Sequence, residues 1–463
     1  MKTRLFSLSV LLITLLCLSA PAFAQGDRGT ITGQITDASG AVVPNVQVAA
    51  VQLATRTTFK AVTTNTGVYH IPYVPPGTYE VSAAVKGFKT AVVSPVVVAV
   101  ATTVTADLKL ELGATTESVT VSAVATQLES SSSELGYNVS SDDYHDWPIT
   151  SDDDGQRQIQ GFIFKSLPGT DDSTSGGSIN GSPTLSHEVY IEGISVGRAD
   201  VGGSTGDFEP SVDAISEFRL QTGGMNASYG GGLTAVANFN VKSGTNDLHG
   251  TAYEYLINND LNANGFDNNA YGNLKAPYKQ NSFGTAVGGP ILLPRIYNGR
   301  NKSFWFFSYE GSRKRTGSLA CCRTVPTAAM KKGDFSAVDT IFDPATTVQN
   351  LDGSYTRTAF PNNIIPTSDF SKISANILKL APTPDPTLPG VIRNIPSLPG
   401  SPVFNLDSYT GKLDQTITDK QKLSFYWSDN NRVRDNGSSR GYLPVPGNAS
   451  SSSRPRTRSA RVA

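Results

Sequence analysis

Few side chains in this sequence have the types and spacing that catalysis or metal binding requires. The 463 residues include only four histidines and three cysteines, which makes a zinc cage or a disulfide framework improbable. Cys321 and Cys322 are adjacent. Such a pair could be reactive or bind a metal, but an ordinary pair of loop residues, or a strained bridge between neighbours, explains it more simply. We expect no metal and no cofactor.

The histidines and acidic residues do not form a recognisable catalytic set either. No histidine has a glutamate three residues later, and His187-Glu188 is followed by Ile191 where a His-Glu-x-x-His zinc motif needs its second histidine. Aspartate runs could ligate calcium through oxygen, but none has the spacing of a known calcium loop, so solvated loops are favoured. These runs are Asp142-Asp143, Asp152 to Asp154 and Asp171-Asp172. We predict no catalytic residue and no enzyme.

Composition and charge argue against two classes of protein, disordered chains and nucleic-acid-binding proteins. Hydrophobic residues make up 38% and charged residues 17% of the chain, which is ordinary for folded domains and argues against wholesale disorder. A chain of this length has room for roughly two to four domains. The formal net charge of −1 argues against a nucleic-acid partner, because proteins that bind nucleic acids need a basic surface.

The first 24 residues predict a secretory signal peptide. Lys2 and Arg4 form a positive start, Leu5 to Leu18 is mostly apolar, and Ala22-Phe23-Ala24 places small residues before a cleavage site. The short apolar core disfavours the alternative, an N-terminal membrane anchor. No later stretch approaches the ~20 apolar residues of a spanning helix. If the mature chain enters a membrane, it must therefore do so as a β-barrel.

Residues 25–113 alternate between apolar and polar side chains, which predicts a β-sandwich. Turn signals such as Ala38-Ser39-Gly40 and Asn65-Thr66-Gly67 separate the strands, at the spacing that is typical of sandwiches. Each strand presents one apolar face, and the members of these faces are Ile31, Ile35, Val46, Val48, Ala50, Tyr79, Val81, Ala83 and Val85. The clearest alternation runs from Val104 to Leu112, which we predict to be one continuous last strand.

Several motifs in this region resemble the carboxypeptidase regulatory-like domain. They are Gly33 to Asp37, Gly40, Pro44, Thr64 to Tyr69 and Pro76 to Tyr79. The resemblance implies a transthyretin-like sandwich with a carbohydrate-binding-like fold and no peptidase activity. Tyr69, Tyr73 and Tyr79 could stack on a sugar, or they could be core and turn residues, and both interpretations stay open at this point.

A TonB-box-like segment is predicted within the linker that spans residues 114–136. It consists of Glu117, Ser118, Val119, Thr120, Val121 and Ser122, and it resembles the box through which outer-membrane receptors engage the energy-transducing protein TonB. An exposed β-forming segment can add itself to the sheet of another protein through backbone hydrogen bonds. The same residues could instead form a last strand of the sandwich.

Residues 137–245 resemble the plug domain of TonB-dependent receptors, particularly of the Oar-like branch. The motifs that carry the resemblance follow one another in order: Trp147 to Ile149, Leu167 to Gly169, Ile179 to Ser182, Val189 to Ile194, Pro210 to Phe218, Tyr229 to Gly232 and Ala237 to Asn246. The core motif of the plug is Tyr190, Ile191, Glu192 and Gly193, with glutamate where the family usually has aspartate. The resemblance implies a small α+β plug domain.

Residues 246–463 resemble the first part of the receptor barrel. Motifs of the Oar-like receptors recur there in order: His249 to Thr251, Gly299 to Lys302, Phe306 to Gly311, Val325 to Thr327, Gly333 to Ser336 and Phe342 to Pro344. We expect about five antiparallel strands, an aromatic girdle from Phe304 to Phe307, a turn at Gly288 to Ile291 and a long extracellular loop over residues 312–402.

About five strands cannot close a membrane barrel, because the smallest such barrels have about eight strands and plugged transporters have about 22. We therefore expect an incomplete antiparallel barrel and a C-terminally truncated chain. The tail is basic, with Arg454, Arg456, Arg458 and Arg461. It could contact anionic lipid or a partner, although a truncated or frame-shifted reading frame explains it more simply.

The predicted chain is thus mainly β, with a sandwich, a plug and an incomplete outer-membrane barrel. The resemblance implies the N-terminal portion of a TonB-dependent receptor or transporter in outer-membrane lipid. Such a protein takes up a ligand, here an unidentified siderophore, oligosaccharide or peptide, with energy from the TonB complex. The alternative is a secreted or periplasmic carbohydrate-binding or adhesion protein without transport activity.

Overall fold

The computed structural model describes most of the mature chain. The described residues are 28–114, 118–122, 133–145, 147, 156–171, 176–198, 210–225, 229–230, 232, 234–270, 272, 275–317, 324–388, 390–395, 403–418, 421–435, 452–453 and 456–462. The predicted signal peptide, Glu117, the Cys321-Cys322 pair and the run Asp152 to Asp154 lie outside them. No helix among the described residues has the length and apolar composition of a membrane-spanning helix.

The first unit is a β-sandwich of nine strands. They are β1 (Gly29–Thr36), β2 (Gln47–Gln52), β3 (Thr58–Val62), β4 (Val68–Val74), β5 (Gly77–Ala83), β6 (Thr90–Val98), β7 (Thr103–Thr105), β8 (Leu108–Lys109) and β9 (Ser118–Ser122). One sheet has the order β4-β1-β7, with β8 also paired to β1, and the other has the order β3-β2-β5-β6-β9. The predicted apolar faces meet between the sheets, where Ile31, Ile35, Val48 and Val81 are fully buried.

The segment from Val104 to Leu112 is not one strand, contrary to the prediction. It forms β7 and β8, two short strands that each run parallel to part of β1. Between them the carbonyl oxygen of Ala106 accepts a 2.5 Å hydrogen bond from the Tyr69 hydroxyl, and the Asp107 carboxylate accepts one from the Gln34 amide. The apolar side chains of the alternating pattern still point inward as far as Leu110, whereas Leu112 is 75% exposed.

Two of the three tyrosines that could have stacked on a sugar belong to the core. Tyr69 and Tyr79 are essentially inaccessible, and only Tyr73 is exposed. The Tyr79 hydroxyl donates to the carbonyl oxygen of Pro75 at 2.5 Å. Burial raises the pKa of both buried phenols above its ordinary value, so these side chains are neutral structural groups.

The second unit is a small mixed sheet with two short helices. Its elements are β10 (Leu135–Ser140), α1 (Ser141–His145), α2 (Gln160–Ser166), β11 (His187–Ile191), β12 (Ile194–Ser195), β13 (Ile215–Gly223) and β14 (Ala235–Val241). The strand order is β10-β13-β14-β11-β12, with β11 parallel to β14. All seven residues of β14 are buried, as expected of a central strand that is covered on both faces.

The third unit is an antiparallel sheet of long strands. Its elements are β15 (His249–Asn258), α3 (Phe266–Ala270), β16 (Tyr278–Pro290), β17 (Leu292–Leu293), β18 (Tyr297–Asn298), β19 (Ser303–Thr316), β20 (Val348–Gln349), β21 (Tyr355–Thr356), α4 (Lys372–Leu380), β22 (Val403–Thr418), β23 (Gln421–Asp435), β24 (Ser452–Ser453) and β25 (Arg456–Val462). The order is β15-β16-β19-β22-β23-β24, with β25 also paired to β23. The sheet is open, and it curves around the second unit.

Three details of this sheet differ from the prediction. Gly288 to Pro290 continue β16 instead of turning, and the chain reverses in the small hairpin of β17 and β18. The basic tail contributes β25, which pairs with β23 from Phe425 to Asn431. Phe304 and Phe306 face inward and are buried, so only the outward Trp305 and Phe307 can belong to an aromatic girdle.

The two faces of the long strands have different chemistry, as the sequence predicts. On β23, Leu423 and Phe425 are exposed on the outer face, while Ser424 and Ser428 are buried on the inner face. This alternation of apolar outside and polar inside is typical of outer-membrane barrels. Short connections join the strands at the end near the sandwich, and the long segment of residues 324–388 lies at the opposite end.

The pattern of burial predicts opposite results for two adjacent valines of β6. Val96 is inaccessible, whereas Val97 is 59% exposed. Val96→Ala should lower the free energy of unfolding of the sandwich by about 2 kcal/mol, since it removes two buried methyl groups and leaves a cavity. Val97→Ala should change it by less than about 0.5 kcal/mol. Urea titration, monitored by hydrogen exchange of the sandwich amides, measures both changes in the free energy of unfolding. Equal losses would contradict the assignment of Val96 to the inner face and of Val97 to the outer face.

Candidate functional site

Glu192 of the predicted plug motif makes a buried ion pair with the wall of the long-stranded sheet. Its Oε1 atom accepts hydrogen bonds from the Lys412 ammonium and from the Val241 amide, both at 2.7 Å. Lys412 also donates to the carbonyl oxygen of Val241 at 3.2 Å. The two charged side chains are 4% and 7% exposed. Glu192 thus joins the end of β14 to the middle of β22.

The other three residues of the motif shape this corner of the plug. Ile191 is buried in the core, and the Tyr190 hydroxyl donates to the carbonyl oxygen of Gly230 at 3.0 Å. Gly193 has a φ of +71°, and a Cβ atom there would lie 2.9 Å from a guanidinium nitrogen of Arg461. The positive φ of the turn therefore favours glycine at this position.

A second buried network joins the plug to the wall through Arg157. Its guanidinium pairs with Asp213 of the plug and lies 3.7 Å from Glu310 of β19. It also stacks on the rings of Tyr253 and Tyr255 from β15, at 4.8 and 4.9 Å. Burial opposes the charge on Arg157, but the two carboxylates outweigh burial, and the net effect raises its pKa.

Glu310 is the point at which this network meets the wall. Its Oε2 atom accepts hydrogen bonds from Ser211 at 2.8 Å and from the Tyr253 hydroxyl at 2.9 Å. Ser211 also caps the short turn that carries Asp213, because its hydroxyl accepts the Asp213 amide. Arg157, Glu310, Ser211 and Tyr253 therefore each have at least two partners in the network, and Arg157 faces two carboxylates.

Ser118–Ser122 of the TonB-box-like segment forms β9, the last strand of its sheet. It pairs in parallel with β6, from Thr90 opposite Ser118 to Ser94 opposite Ser122. These five residues therefore form a further strand of the sandwich, which is the alternative that the sequence left open. Twelve residues separate β9 from β10, which is the edge strand of the plug sheet.

The sandwich lies against the plug and against the end of the sheet with short connections. The Asn246 amide donates to the carbonyl oxygen of Ala54, and the Lys422 ammonium lies over the ring of Phe59. A cavity of about 690 Å³ remains between the three units. The ion pair of Glu192 and Lys412 lies in its wall.

Glu217 lies where the sandwich meets the plug. Burial raises the pKa of this carboxyl to about 7, although a hydrogen bond with the backbone of Val100 in the sandwich opposes the shift. Its Oε1 atom is buried and has no hydrogen-bond partner among the described residues. The contact between the two units therefore includes a carboxyl that prefers to be protonated.

The other groups that could catalyse a reaction or bind a metal do not form a site among the described residues. His187 is buried, and burial lowers its pKa to about 4, against the opposing effect of Asp171. Within the described residues, no three His, Cys, Asp or Glu side chains are grouped to hold a metal ion. Gly202 to Gly206 has the Gly-x-Ser-x-Gly spacing of a nucleophilic serine, but it lies outside the described residues.

Sequence reasoning named Glu192 but missed its partner and the whole Arg157 network. Lys412 and Glu310 are charged residues at inward, buried positions of β22 and β19. A charge in such a place is expensive and marks a specific partner. That signal was present, but it does not identify the partner, which for Lys412 lies 220 residues away.

Two family models match the chain. Residues 30–111 match the carboxypeptidase regulatory-like domain, and residues 240–462 match the outer membrane beta barrel domain. The chain combines these two domains. Its location is therefore the outer membrane. The match to the barrel domain extends through β25, so the basic tail belongs to that domain. No curated protein matches the chain.

Several solved outer-membrane proteins are similar in fold. The outer membrane transporter YddB from Escherichia coli is 10% identical, with a TM-score of 0.38, and the match covers 65% of this chain and 33% of that one. A mutant of the ferric enterobactin receptor PfeA from Pseudomonas aeruginosa is 13% identical, with a TM-score of 0.34 and coverages of 65% and 33%. The siderophore receptor PirA from the same organism is 10% identical, with a TM-score of 0.29 and coverages of 71% and 40%. The chain thus spans between a third and two fifths of the length of these proteins.

The buried pair of Glu192 and Lys412 predicts strong non-additivity. Lys412→Met leaves an unpaired buried carboxylate and should destabilise the plug–barrel assembly by about 3–5 kcal/mol. The double variant Glu192→Gln/Lys412→Met should lose clearly less than the single variant. The exposed Lys302 supplies a control, since Lys302→Met should cost less than about 0.5 kcal/mol. Urea unfolding in detergent measures these variants together with Glu192→Gln alone, and an additive double variant would refute the pairing.

Glu217 predicts a pH dependence of the contact between sandwich and plug. The folded pKa near 7 exceeds the ordinary 4.5, so the folded state holds a proton that the unfolded state releases within this window. Stability should therefore be fully present below pH 4.5 and should fall as the pH rises towards 7. Glu217→Gln should abolish that slope. Unfolding titrations between pH 4.5 and 7.5 test this, and an unchanged slope in the variant would contradict it.

Proposed function

We propose that this chain is the N-terminal portion of a TonB-dependent receptor that imports a ligand across the outer membrane. The observation that carries the proposal is the connection between β9 and the plug. A TonB-box-like strand stands outside the barrel domain, twelve residues before the edge strand of a plug that lies inside the barrel wall. In that arrangement a pull on the strand acts on the plug.

The path of such a pull can be followed through the sheet. It reaches β10 first, which has β13 as its strand partner and lies at the edge of the plug sheet. Glu134 reinforces this edge, because its Oε2 atom accepts hydrogen bonds from Arg219 at 3.3 Å and from Gln221 at 2.7 Å. An edge strand can separate one hydrogen bond at a time, so the plug sheet can be opened from this side without disturbing the wall.

Contacts with the wall resist movement of the plug, and two of them are buried networks of charged side chains. The buried pair Glu192–Lys412 and the network of Arg157 with Glu310 attach the plug to β22 and β19. Buried ion pairs give specificity at the cost of desolvation. They favour one seated position of the plug, and they can reform when the pull ends.

The ligand in this proposal binds at the far end of the barrel. Residues 324–388 lie there, opposite the sandwich, and they are folded by their own contacts, with the Asn363 side-chain amide donating to the carbonyl oxygens of Phe335, Val338 and Asp339. Ordered loops on a rigid barrel are the usual position for ligand contacts. A siderophore, an oligosaccharide or a peptide fits this role.

Deletion of residues 117–123 tests the proposal in a full-length version of the receptor. We expect uptake to be abolished and capture by the periplasmic domain of TonB to fall to background, while ligand binding at the cell surface is retained. The control is deletion of residues 350–354, an exposed turn between β20 and β21, which should leave TonB capture intact. Unchanged uptake without residues 117–123 would refute a TonB-coupled receptor.

A further inference from the structure

We infer that Arg456 and Arg458 of β25 form a binding site for the anionic, phosphate-bearing headgroup of a lipid in the outer leaflet of the outer membrane. The two arginines belong to the basic tail and take no part in the proposed transport. The inference needs only the location of the barrel domain in the outer membrane, and it does not depend on coupling to TonB.

Both arginine side chains project from the outer face of the sheet. Phe425 of β23 is exposed on that face and lies directly opposite Val462 of β25. Alternate residues of a strand point to the same face, so Arg458 and Arg456 share the outer face with Val462. Their side chains are 59% and 55% exposed. The two guanidinium groups therefore face the surroundings of the barrel and not its interior.

The position of Arg458 along the barrel is that of a membrane interface. The register places it in one row with Asp429 of β23, Tyr409 of β22 and Tyr309 of β19. The two tyrosine rings are 5.1 Å apart, and tyrosines in an aromatic girdle lie at the level of the lipid headgroups. Arg456 lies further toward the end of the sheet that carries the long connection, which in outer-membrane barrels is the outside.

The cluster carries more positive charge than its carboxylate neutralises. Arg456 donates to Asp429 through Nε at 3.0 Å and through a terminal nitrogen at 2.6 Å, and Arg458 donates to it through Nε at 3.2 Å. The Asp429 side chain is 7% exposed. Two guanidinium groups thus share one buried carboxylate, which leaves one positive charge in excess. Among the residues that the structure describes, the terminal nitrogens of Arg458 have no hydrogen-bond partner.

The terminal nitrogens of Arg458 suit a phosphate group. A planar guanidinium presents paired N–H groups that match two phosphate oxygens, and such charge-assisted hydrogen bonds are stronger than neutral ones. Asp429 holds both arginine side chains in one place, so less side-chain entropy is lost when a headgroup binds. The excess charge and the unfilled donors thus favour the same kind of ligand.

The outer face beside the cluster offers an apolar surface to the acyl chains of the same lipid. Ala460 and Val462 continue β25 toward the end near the sandwich, opposite Trp427 and Phe425. Val462 is 64% exposed and Phe425 is 38% exposed. A lipid whose headgroup is bound by the two arginines therefore places its acyl chains against Trp427, whose fluorescence reports the binding.

Quenching by brominated lipid tests the site in the full-length receptor. The receptor with Trp147→Phe/Trp305→Phe is reconstituted in phosphatidylcholine vesicles that contain brominated phosphatidic acid or brominated phosphatidylcholine. We expect half-maximal quenching of Trp427 at an about tenfold lower mole fraction of the phosphatidic acid. The matched reporter is Trp305, in Trp147→Phe/Trp427→Phe. It lies on β19, two strands from β23, and both lipids should quench it equally.

Two double variants distinguish the arginine cluster from general surface charge. Arg456→Gln/Arg458→Gln should remove the preference for phosphatidic acid at Trp427. Lys279→Gln/Arg315→Gln removes two positive charges from a directly opposed pair on the same outer face and should leave the preference intact. An excess of inorganic phosphate should not reduce the preference, because the free ion lacks the apolar contacts of the acyl chains.

The receptor that keeps both arginines decides the question without a variant of the cluster. Equal quenching of Trp427 by the two lipids would overturn the inference. An equal preference at Trp305, or an equal loss in the Lys279→Gln/Arg315→Gln control, would show general attraction of anionic lipid and would overturn it too. Loss of the preference in inorganic phosphate would make a free anion the occupant and would refute the lipid site. Uptake and TonB capture are separate measurements, so each of these failures leaves the proposed function intact.

Discussion

The inner face of the long-stranded sheet carries charges that are buried against the plug and paired with its side chains. Lys412 and Glu310 point inward from two strands of the wall, and both are buried. The seated plug removes both charges from water, and a charge removed from water without a partner costs several kcal/mol. Glu192 and Arg157 of the plug supply the partners. The seating of the plug and the polarity of the wall therefore depend on each other.

This mutual dependence explains how the three units are arranged along the chain. The plug precedes the wall in sequence and fills its concave side, while the sandwich lies at the end with short connections and leaves a cavity beneath the plug. Glu217 and Asn246 tie the sandwich to the other two units. In the proposed receptor the sandwich sits on the periplasmic side, where TonB acts, and its β6 edge holds the strand that TonB needs.

Much of the fold could be predicted because period-two alternation is a local property of the sequence. It placed Ile31 and Ile35 inward in the sandwich and Leu423 and Phe425 outward on β23. The division into sandwich, plug and incomplete barrel followed from motifs in a fixed order. However, the alternation of apolar and polar residues does not predict where a strand is interrupted. The break between β7 and β8 depends on Tyr69 reaching the Ala106 carbonyl from another strand.

The functional contacts were harder to predict because they join residues that are far apart in sequence. Glu192 was named from its motif, yet nothing near it in sequence points to Lys412. The aromatic run of β19 was assigned to a girdle, but two of its four rings face the plug because neighbouring residues of a strand point to opposite faces. The Arg tail lacked apolar alternation and was not recognised as β25. Its pairing with β23 is a tertiary contact.

The central claim is that a pull on Ser118–Ser122 opens the plug from β10 while the wall stays intact. Force spectroscopy on bilayer-embedded receptor, with a handle attached through Ser118→Cys, tests it most directly. The account predicts that β9 separates from β6 first, that β10 is then freed at low force and that the remaining plug strands follow, with all barrel strands retained in the membrane. Extraction of barrel strands before any plug strand is released would contradict it.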